Sequence, residues 1–389
     1  MNNINEVLDF IYSQQRIDLG LERIEEALKR VGNPHLQYKT IHIAGTNGKG
    51  STTNYIYTIL KEQGYKVGAF TSPFLEAYND RIRINDQFIS DEEVLTIVNT
   101  HVEMIKELNL SFFEIFTFIA AIHFANNKVD FAIFEVGMGG RYDATNVVKP
   151  LVCGITNIGF DHMNTLGTTI AEIAYQKAGI IKENVPIFTT CEKDDAVRTI
   201  EKVAADKNAP CLVINDFGKF DYHLSMKGTY QKKNATLALA IIKYLSASHE
   251  ISEESIKSGF MKAKWLGRFE EIQPNVFVDG AHNIEGITGL VHTIETDFND
   301  KDVKILFSAL RDKEVTDMLA LLSPFDLQLT TFDFYRAMHE TDLKALKKPY
   351  ILDFKQAVDD LLNNKTDDQV IVITGSLYFI TEVRNYLLN

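Results

Sequence analysis

Cysteine is scarce in this chain: Cys153, Cys191 and Cys211 are the only three in 389 residues, and none falls in a C-x-x-C spacing. Three cannot all pair within one chain, which fits a reducing compartment and three ordinary thiols. Basic excess is missing too. The formal net charge is -13, which argues against a nucleic-acid partner. It leaves anionic small molecules open, because a pocket can be locally positive within an acidic protein. Long apolar runs are absent. The most apolar stretch, residues 112–125, contains Glu114 and His123, is too short to cross a bilayer and reads as a core helix. The opening residues, MNNINEVLDF, carry neither a basic n-region nor an apolar h-region. A cytoplasmic location without membrane attachment is therefore expected. No internal repeat or low-complexity tract is present. Nothing suggests an exposed coiled coil, so a monomer is expected.

What the chain does have is apolar material and length. Hydrophobic residues make up 45% and charged ones 24% of 389 residues, enough for two cores rather than one. Ile4, Val7, Leu8 and Ile11, then Leu21, Ile24, Ala27 and Leu28, follow helical spacing, which Asn33-Pro34 stops. KTIHIAG reads as strand into glycine loop and STTNYIYTILKEQGY as the helix after it. VGAFTSP, VDFAIFEVGMGG, PLVCGITNIG and VPIFTT read as further strands, with helices after Ser90, after Phe112 and at AEIAYQKAGII between them. After a helix over 234–245 the pattern restarts with NVFVDGAHN, KILFSALRDK, QLTTFDF and QVIVITGSLYFITEVRNYL. Strands alternating with helices predict an α/β protein with mostly parallel sheets. The restart near Trp265-Leu266-Gly267-Arg268 predicts one α/β domain over 1–264 and a smaller, Rossmann-like α/β domain over 268–389.

Gly45-Thr46-Asn47-Gly48-Lys49-Gly50-Ser51 lies between a predicted strand and helix, where backbone N–H groups and a helix N-terminus favour a polyphosphate. Lys49 would set its ammonium against the terminal phosphates, and a following hydroxyl would help hold magnesium. The usual pattern has Ser or Thr directly after the lysine; here Gly50 intervenes before Ser51, so the motif is matched loosely. A glycine-rich turn with a surface lysine is the plain alternative. Ser72, Glu135 and Asp161-His162 follow other predicted strands, and in an open α/β sheet such ends converge on the ligand crevice. Taken singly they read as a turn hydroxyl, a surface carboxylate and a hydrogen-bonded histidine.

The segment IHIAGTNGKGST from Ile41 resembles the phosphate loop of the folylpolyglutamate synthase and dihydrofolate synthase family, relatives of the Mur ligases. The likeness continues through TSPFL at 71–75, EVGMGGRYDATN from Glu135, ITNIGFDHMNTLG from Ile155, IAYQKAGIIK from Ile173 and YQKKNATLALA from Tyr230. LGRFE from Leu266, VDGAHN from Val278, ALRDK from Ala309 and TGSLY from Thr374 complete ten blocks in family order. The resemblance implies that 1–264 is a P-loop ATPase domain, with ATP bound by Thr46, Asn47, Gly48, Lys49, Gly50 and Ser51, Asn234 near the adenine, and Arg268, Asp279 and His282 as further nucleotide contacts. Ser72, Glu135 and His162 become magnesium ligands, and a carbamylated Lys177 would serve a second magnesium. Carbamylation needs a neutral amine, so burial should depress that lysine's pKa. Ser111, Phe112, Phe113 and Glu114, with Tyr142, Asp143 and Ala144, correspond to the pteroate-binding segments, aromatic faces suiting a flat heterocycle.

The implied reaction is amide formation between L-glutamate and a folate or dihydropteroate carboxylate by way of an acyl phosphate, with Lys49, Lys177, His162 and Arg268 as catalytic groups. The chain departs from the family at Phe74, where a histidine is common, at Asp80 in place of a glutamate, and at Gln176, where a glutamate usually precedes the lysine. A Mur-type ligase acting on a muropeptide is a rival, disfavoured by the DGAHN and GRFE blocks and by the lack of an extra uridine-binding domain. A non-catalytic ATP- or folate-binding protein would be expected to have lost Lys49, Glu135 or His162, and all three are present.

Overall fold

The computed structural model describes residues 1–16 and 19–388. They divide into two compact units, one of residues 1–223 and 233–263, the other of residues 224–232 and 264–389.

The first unit is built on eight strands: β1 (Lys39–Ala44), β2 (Val67–Phe70), β3 (Ile82–Ile84), β4 (Gln87–Phe88), β5 (Phe131–Glu135), β6 (Pro150–Ile155), β7 (Ile187–Thr189) and β8 (Cys211–Val213). Their order is β4-β3-β2-β5-β1-β6-β7-β8. From β2 to β8 every pairing is parallel, whereas β3 and β4 run antiparallel at one edge. β1 and β5 are buried on both faces over nearly all their length, polar Thr40, His42 and Glu135 included, because helices cover a parallel sheet on both sides. One core gathers Phe70, Ala132 and Phe134 with the helices Ile4–Ser13, Glu22–Arg30, Asp91–Glu107 and Phe112–Asn126. The last of these is mostly apolar on every face and buried from Glu114 to Phe124, as its sequence requires. A second core joins Ala44, Cys153, Ile155 and Ile187 to the helices Ile170–Ala178 and Asp194–Asp206. Among the described residues no helix is long and apolar enough to cross a membrane.

The second unit carries β9 (Glu270–Gln273), β10 (Val276–Asp279), β11 (Asp302–Phe307), β12 (Asp326–Thr331), β13 (Tyr350–Asp353) and β14 (Gln369–Thr374), in the order β13-β12-β11-β14-β10-β9. Only β9 is antiparallel to its neighbour. Its own core centres on Phe277, Ile305, Phe307, Leu329 and Val372. The α/β class and mostly parallel sheets match the expectation. The β3–β4 hairpin, β8, β9 and β13 escape the sequence pattern, being only two to four residues long.

Candidate active site

The carboxyl ends of β2, β5, β1 and β6 lie along one edge of the first sheet, and the residues leaving them build the site. After β1 the chain turns through 45–48 into the helix Lys49–Glu62. The register sets Ala44 beside Ile155, so the segment after β6 runs along the phosphate loop. Thr46 N donates to Asn157 O (2.9 Å) and Asn47 N to Asn157 Oδ1 (2.8 Å). Thr156 Oγ1 donates to Asn47 O (2.5 Å), and Thr46 Oγ1 accepts from Gly159 N (2.9 Å). The amides of Thr46 and Asn47, expected to face a phosphate, are instead spent on shaping the loop. The helix's first bond is Thr52 N to Gly48 O, so the amides of Lys49, Gly50 and Ser51 begin the helix without an intrahelical partner. Gly48 has φ of 80°, and a Cβ there would come within 2.1 Å of Asn234 Oδ1. Asn234 therefore braces the loop itself. Ser51 Oγ, in the first turn, is 1% exposed at residue level and has no hydrogen-bond partner.

Two lysines from distant parts of the chain meet on one carbonyl. Lys49 Nζ folds back to donate to Gly45 O (3.2 Å) and Thr46 O (3.1 Å). Lys177 Nζ, on the helix Ile170–Ala178, donates to the same Gly45 O at 2.9 Å. Lys177 is only 4% exposed. Burial first, and the neighbouring Lys49 ammonium second, push its pKa down to about 7, against partial opposition from Asp161 and Asp143. The depressed pKa anticipated for carbamylation is thus built into the fold.

Glu135 closes β5 and accepts from Ser72 N at 3.3 Å, joining two of the three expected metal ligands. His162, the third, starts the helix Met163–Leu166 in a left-handed conformation; its side chain is 48% exposed and lies 3.9 Å from Asp161 Oδ2. Among the described residues no three His, Cys, Asp or Glu side chains converge as a metal cage. Magnesium takes few protein oxygens and completes its shell with phosphate and water, and the buried, unpartnered Ser51 hydroxyl is an oxygen of the right kind.

Several residues expected at a pteroate site have local work to do. Ser111 and Glu114 form a capping box: Ser111 N and Oγ both reach Glu114 Oε2 at 2.7 Å, and Arg23 Nε pairs with Glu114 at 3.2 Å. Phe112 stacks on Tyr12 with ring centroids 5.4 Å apart. The buried Arg81 guanidinium sits 5.1 Å, 5.3 Å and 5.4 Å from the ring centroids of Phe74, Phe112 and Phe116, so Phe74 has a role of its own. Phe113 packs so tightly on Gly137 that a Cβ there would lie 2.6 Å from its ring. In the loop after β5, Tyr142 is 45% exposed while Asp143 and Ala144 are buried. Asp143 accepts from Met138 N (2.9 Å), Thr145 N (3.1 Å) and Thr145 Oγ1 (2.5 Å). The sequence reading missed His42, Thr145, Thr156 and Asn157. A polar pair directly after a strand is a usable signal for the last two; nothing local marks the first.

Within the second unit, Asp279 at the end of β10 accepts from Ala281 N (2.8 Å), Phe269 N (2.8 Å) and Tyr230 Oη (2.6 Å). Burial raises its pKa against those bonds and the nearby Arg268 charge. Arg268 lies across Gly280, where a Cβ would come within 2.2 Å of its Nη1, and His282 Nδ1 is 2.7 Å from Gly280 O. Arg268, from the segment before β9, thus meets Asp279 and His282 around Gly280.

Residues 43–252 match the Mur ligase middle domain and residues 267–377 the glutamate ligase domain of Mur ligases. A dihydrofolate synthase/folylpolyglutamate synthase of Bacillus subtilis is 39% identical, with 95% of each chain covered. The crystal structure of folylpolyglutamate synthase from Thermotoga maritima is similar with a TM-score of 0.85 and 35% identity, covering 99% of this chain and 97% of that one. A bifunctional folylpolyglutamate synthase/dihydrofolate synthase solved with Mn, AMPPNP and L-glutamate bound gives a TM-score of 0.90 at 26% identity, covering 100% and 99%. The ten blocks, the strand-end geometry and these likenesses agree, and the chain belongs to the folylpolyglutamate synthase/dihydrofolate synthase family of Mur-type ligases.

Proposed function

We propose that this chain uses ATP to join L-glutamate to the carboxylate of a folate-type acceptor (dihydropteroate, a tetrahydrofolyl-polyglutamate, or both) through an acyl phosphate. The observation that carries the reading is the meeting of Lys49 and Lys177 on the carbonyl of Gly45, with the second lysine buried and close to neutral.

A carboxylate is a poor electrophile, and the γ-phosphoryl group of ATP converts it into an acyl phosphate with a good leaving group. Lys49 exchanges the carbonyls of Gly45 and Thr46 for the terminal phosphate oxygens. The amides of Lys49, Gly50 and Ser51, at the positive end of their helix, stabilise the charge that spreads over the transferring group. Ser72, Glu135 and His162, with the hydroxyl of Ser51, would hold magnesium, which when bound neutralises phosphate charge. Lys177, with a pKa of about 7, has roughly half of its amine unprotonated at neutral pH. Its nitrogen can then add to CO2, forming an N–C bond and releasing a proton, so that a cation becomes an anionic oxygen ligand for a second magnesium. The neutral amine of glutamate attacks the acyl carbon, phosphate departs with the C–O electron pair, the nitrogen gives its extra proton to solvent or the leaving phosphate, and an amide remains.

Asn234 acts on the nucleotide side, bracing Gly48 and neighbouring the adenine. Phe112, Phe113 and Tyr142 offer aromatic surface to the acceptor, with Ser111, Glu114, Asp143 and Ala144 framing it. In the second unit Arg268 and His282 are assigned to anionic oxygens and Asp279 to holding their segments. A cytoplasmic monomer is the accompanying expectation. The test is positional isotope transfer. With 18O in the acceptor carboxylate, label should emerge in inorganic phosphate in step with amide formation, using dihydropteroate and tetrahydrofolyl-glutamate in parallel. Amide formed with unlabelled phosphate would overturn the acyl phosphate route.

A further inference from the structure

Below the phosphate loop, His42 on β1 is fully buried and its Nε2 lies 2.8 Å from Thr145 Oγ1, which in turn lies 2.5 Å from Asp143 Oδ1. This three-membered chain ties the central strand to the loop 137–146. Its polarity follows from counting protons. Asp143 also accepts from the backbone N–H groups of Met138, Thr145 and Gly137, which favour its ionised form even though burial raises its pKa. An ionised Asp143 must be served by the Thr145 hydroxyl proton, so Thr145 Oγ1 accepts, and His42 donates from Nε2. The remaining ring nitrogen, Nδ1, is buried without a partner. As a bare acceptor it is tolerable, whereas the reverse tautomer would bury an unpaired N–H donor there. Burial drives the His42 pKa down to about 3, so the imidazole stays neutral at any working pH.

We propose that His42, acting through Thr145, is a positioning residue that fixes Asp143 and with it the acceptor-side shape of the loop 137–146, which carries Tyr142 and Ala144. The proposal rests on the functional reading above. The strand that ends in the phosphate loop also anchors the acceptor loop, three residues before Gly45. Cutting the chain of hydrogen bonds should therefore loosen the acceptor and spare the nucleotide.

Thr145→Val keeps the side-chain volume and removes the hydroxyl; Thr145→Ser keeps the hydroxyl. In steady-state assays with dihydropteroate and with tetrahydrofolate, Thr145→Val should raise the KM for the acceptor on the order of tenfold, while the KM for ATP stays within about twofold and Thr145→Ser restores both. His42→Gln, which can still donate to Thr145, should give an acceptor KM between those of wild type and the Thr145→Val variant only if the donor assignment holds. A 15N-edited spectrum of the wild-type protein should show a protected, slowly exchanging imidazole Nε2–H that persists to acidic pH and is displaced in Thr145→Val. Equal changes in the two KM values, no change in either, or a protonated Nδ1 in the spectrum would overturn the proposal. Wild-type turnover with neither acceptor would instead remove the functional reading on which it stands.

Discussion

Lys177 is the residue where sequence and fold meet most directly. Its neighbours in YQKAGI give no sign of burial, yet the side chain is 4% exposed and donates to the phosphate-loop carbonyl of Gly45. Because its folded pKa is lowered from 10.5 to about 7, the unfolded chain binds more protons than the native one between those values, and stability must rise with pH across that window. Below pH 7 the native state carries the full cost of a buried ammonium. In CO2-free buffer, Lys177→Met should therefore be more stable than wild type by a few kcal/mol at pH 6, with the gain shrinking by pH 9. Urea midpoints at the two pH values check this; a gain that grows with pH would contradict the assignment. The same variant should lose ligase activity at every pH. Lys49→Met is expected to leave the urea midpoint nearly unchanged and to lower kcat by about 100-fold or more, since it removes one fixed charge from a transferring phosphoryl group. Single-turnover phosphate release is the measurement. Both lysines were legible as motif members, but the shared carbonyl was not, because 128 residues of chain separate them.

At the level of elements, the turn from β1 into its helix depends on Gly48, which combines a φ of 80° with a Cβ position 2.1 Å from Asn234 Oδ1. Gly48→Ala meets two penalties of different origin, and Asn234→Ala can relieve only the steric one. The single variant should be destabilised by about 1–3 kcal/mol and bind AMPPNP weakly, with the double variant regaining part of the stability. Thermal melts with and without nucleotide separate the two effects. The start of the helix Phe112–Asn126 gives a contrasting case. Ser111 and Glu114 satisfy each other and the helix end, so Ser111→Ala should cost about 1 kcal/mol through lost capping. If its contribution to the acceptor is only to frame the aromatic segment, the acceptor KM should hardly move. The longer parallel strands, the helices around the phosphate loop and the glycine turn are readable from periodicity and punctuation. The β3–β4 hairpin, β8, β9 and β13 are not, because a strand of two to four residues gives period-2 alternation too few positions to register.

At the scale of the molecule, two units with separate cores share one chain, and the segment 224–232 belongs with the second although most of the chain before it builds the first. The sequence reading drew one boundary near 265–268 and gave no hint of this excursion, whose Tyr230 bonds to Asp279 at 2.6 Å. Since the phosphate loop lies wholly in the first unit, AMPPNP with magnesium at about 100 times its Kd should raise stability by about 2.7 kcal/mol, measured as a shift in the unfolding midpoint, and Lys49→Met should abolish most of that shift. By itself the sequence determined the α/β class, the order of the longer strands and of the helices around the phosphate loop, and the identity of that loop, because those depend on local periodicity, turn chemistry and contiguous motifs. Only the tertiary structure decided that Thr46 and Asn47 spend their amides on Asn157, that Lys177 is dry, and that His42 reaches Asp143 through Thr145. Those facts arise from which strands lie side by side in a sheet, and neighbours in a parallel sheet are set by burial and crossover packing rather than by adjacency along the chain.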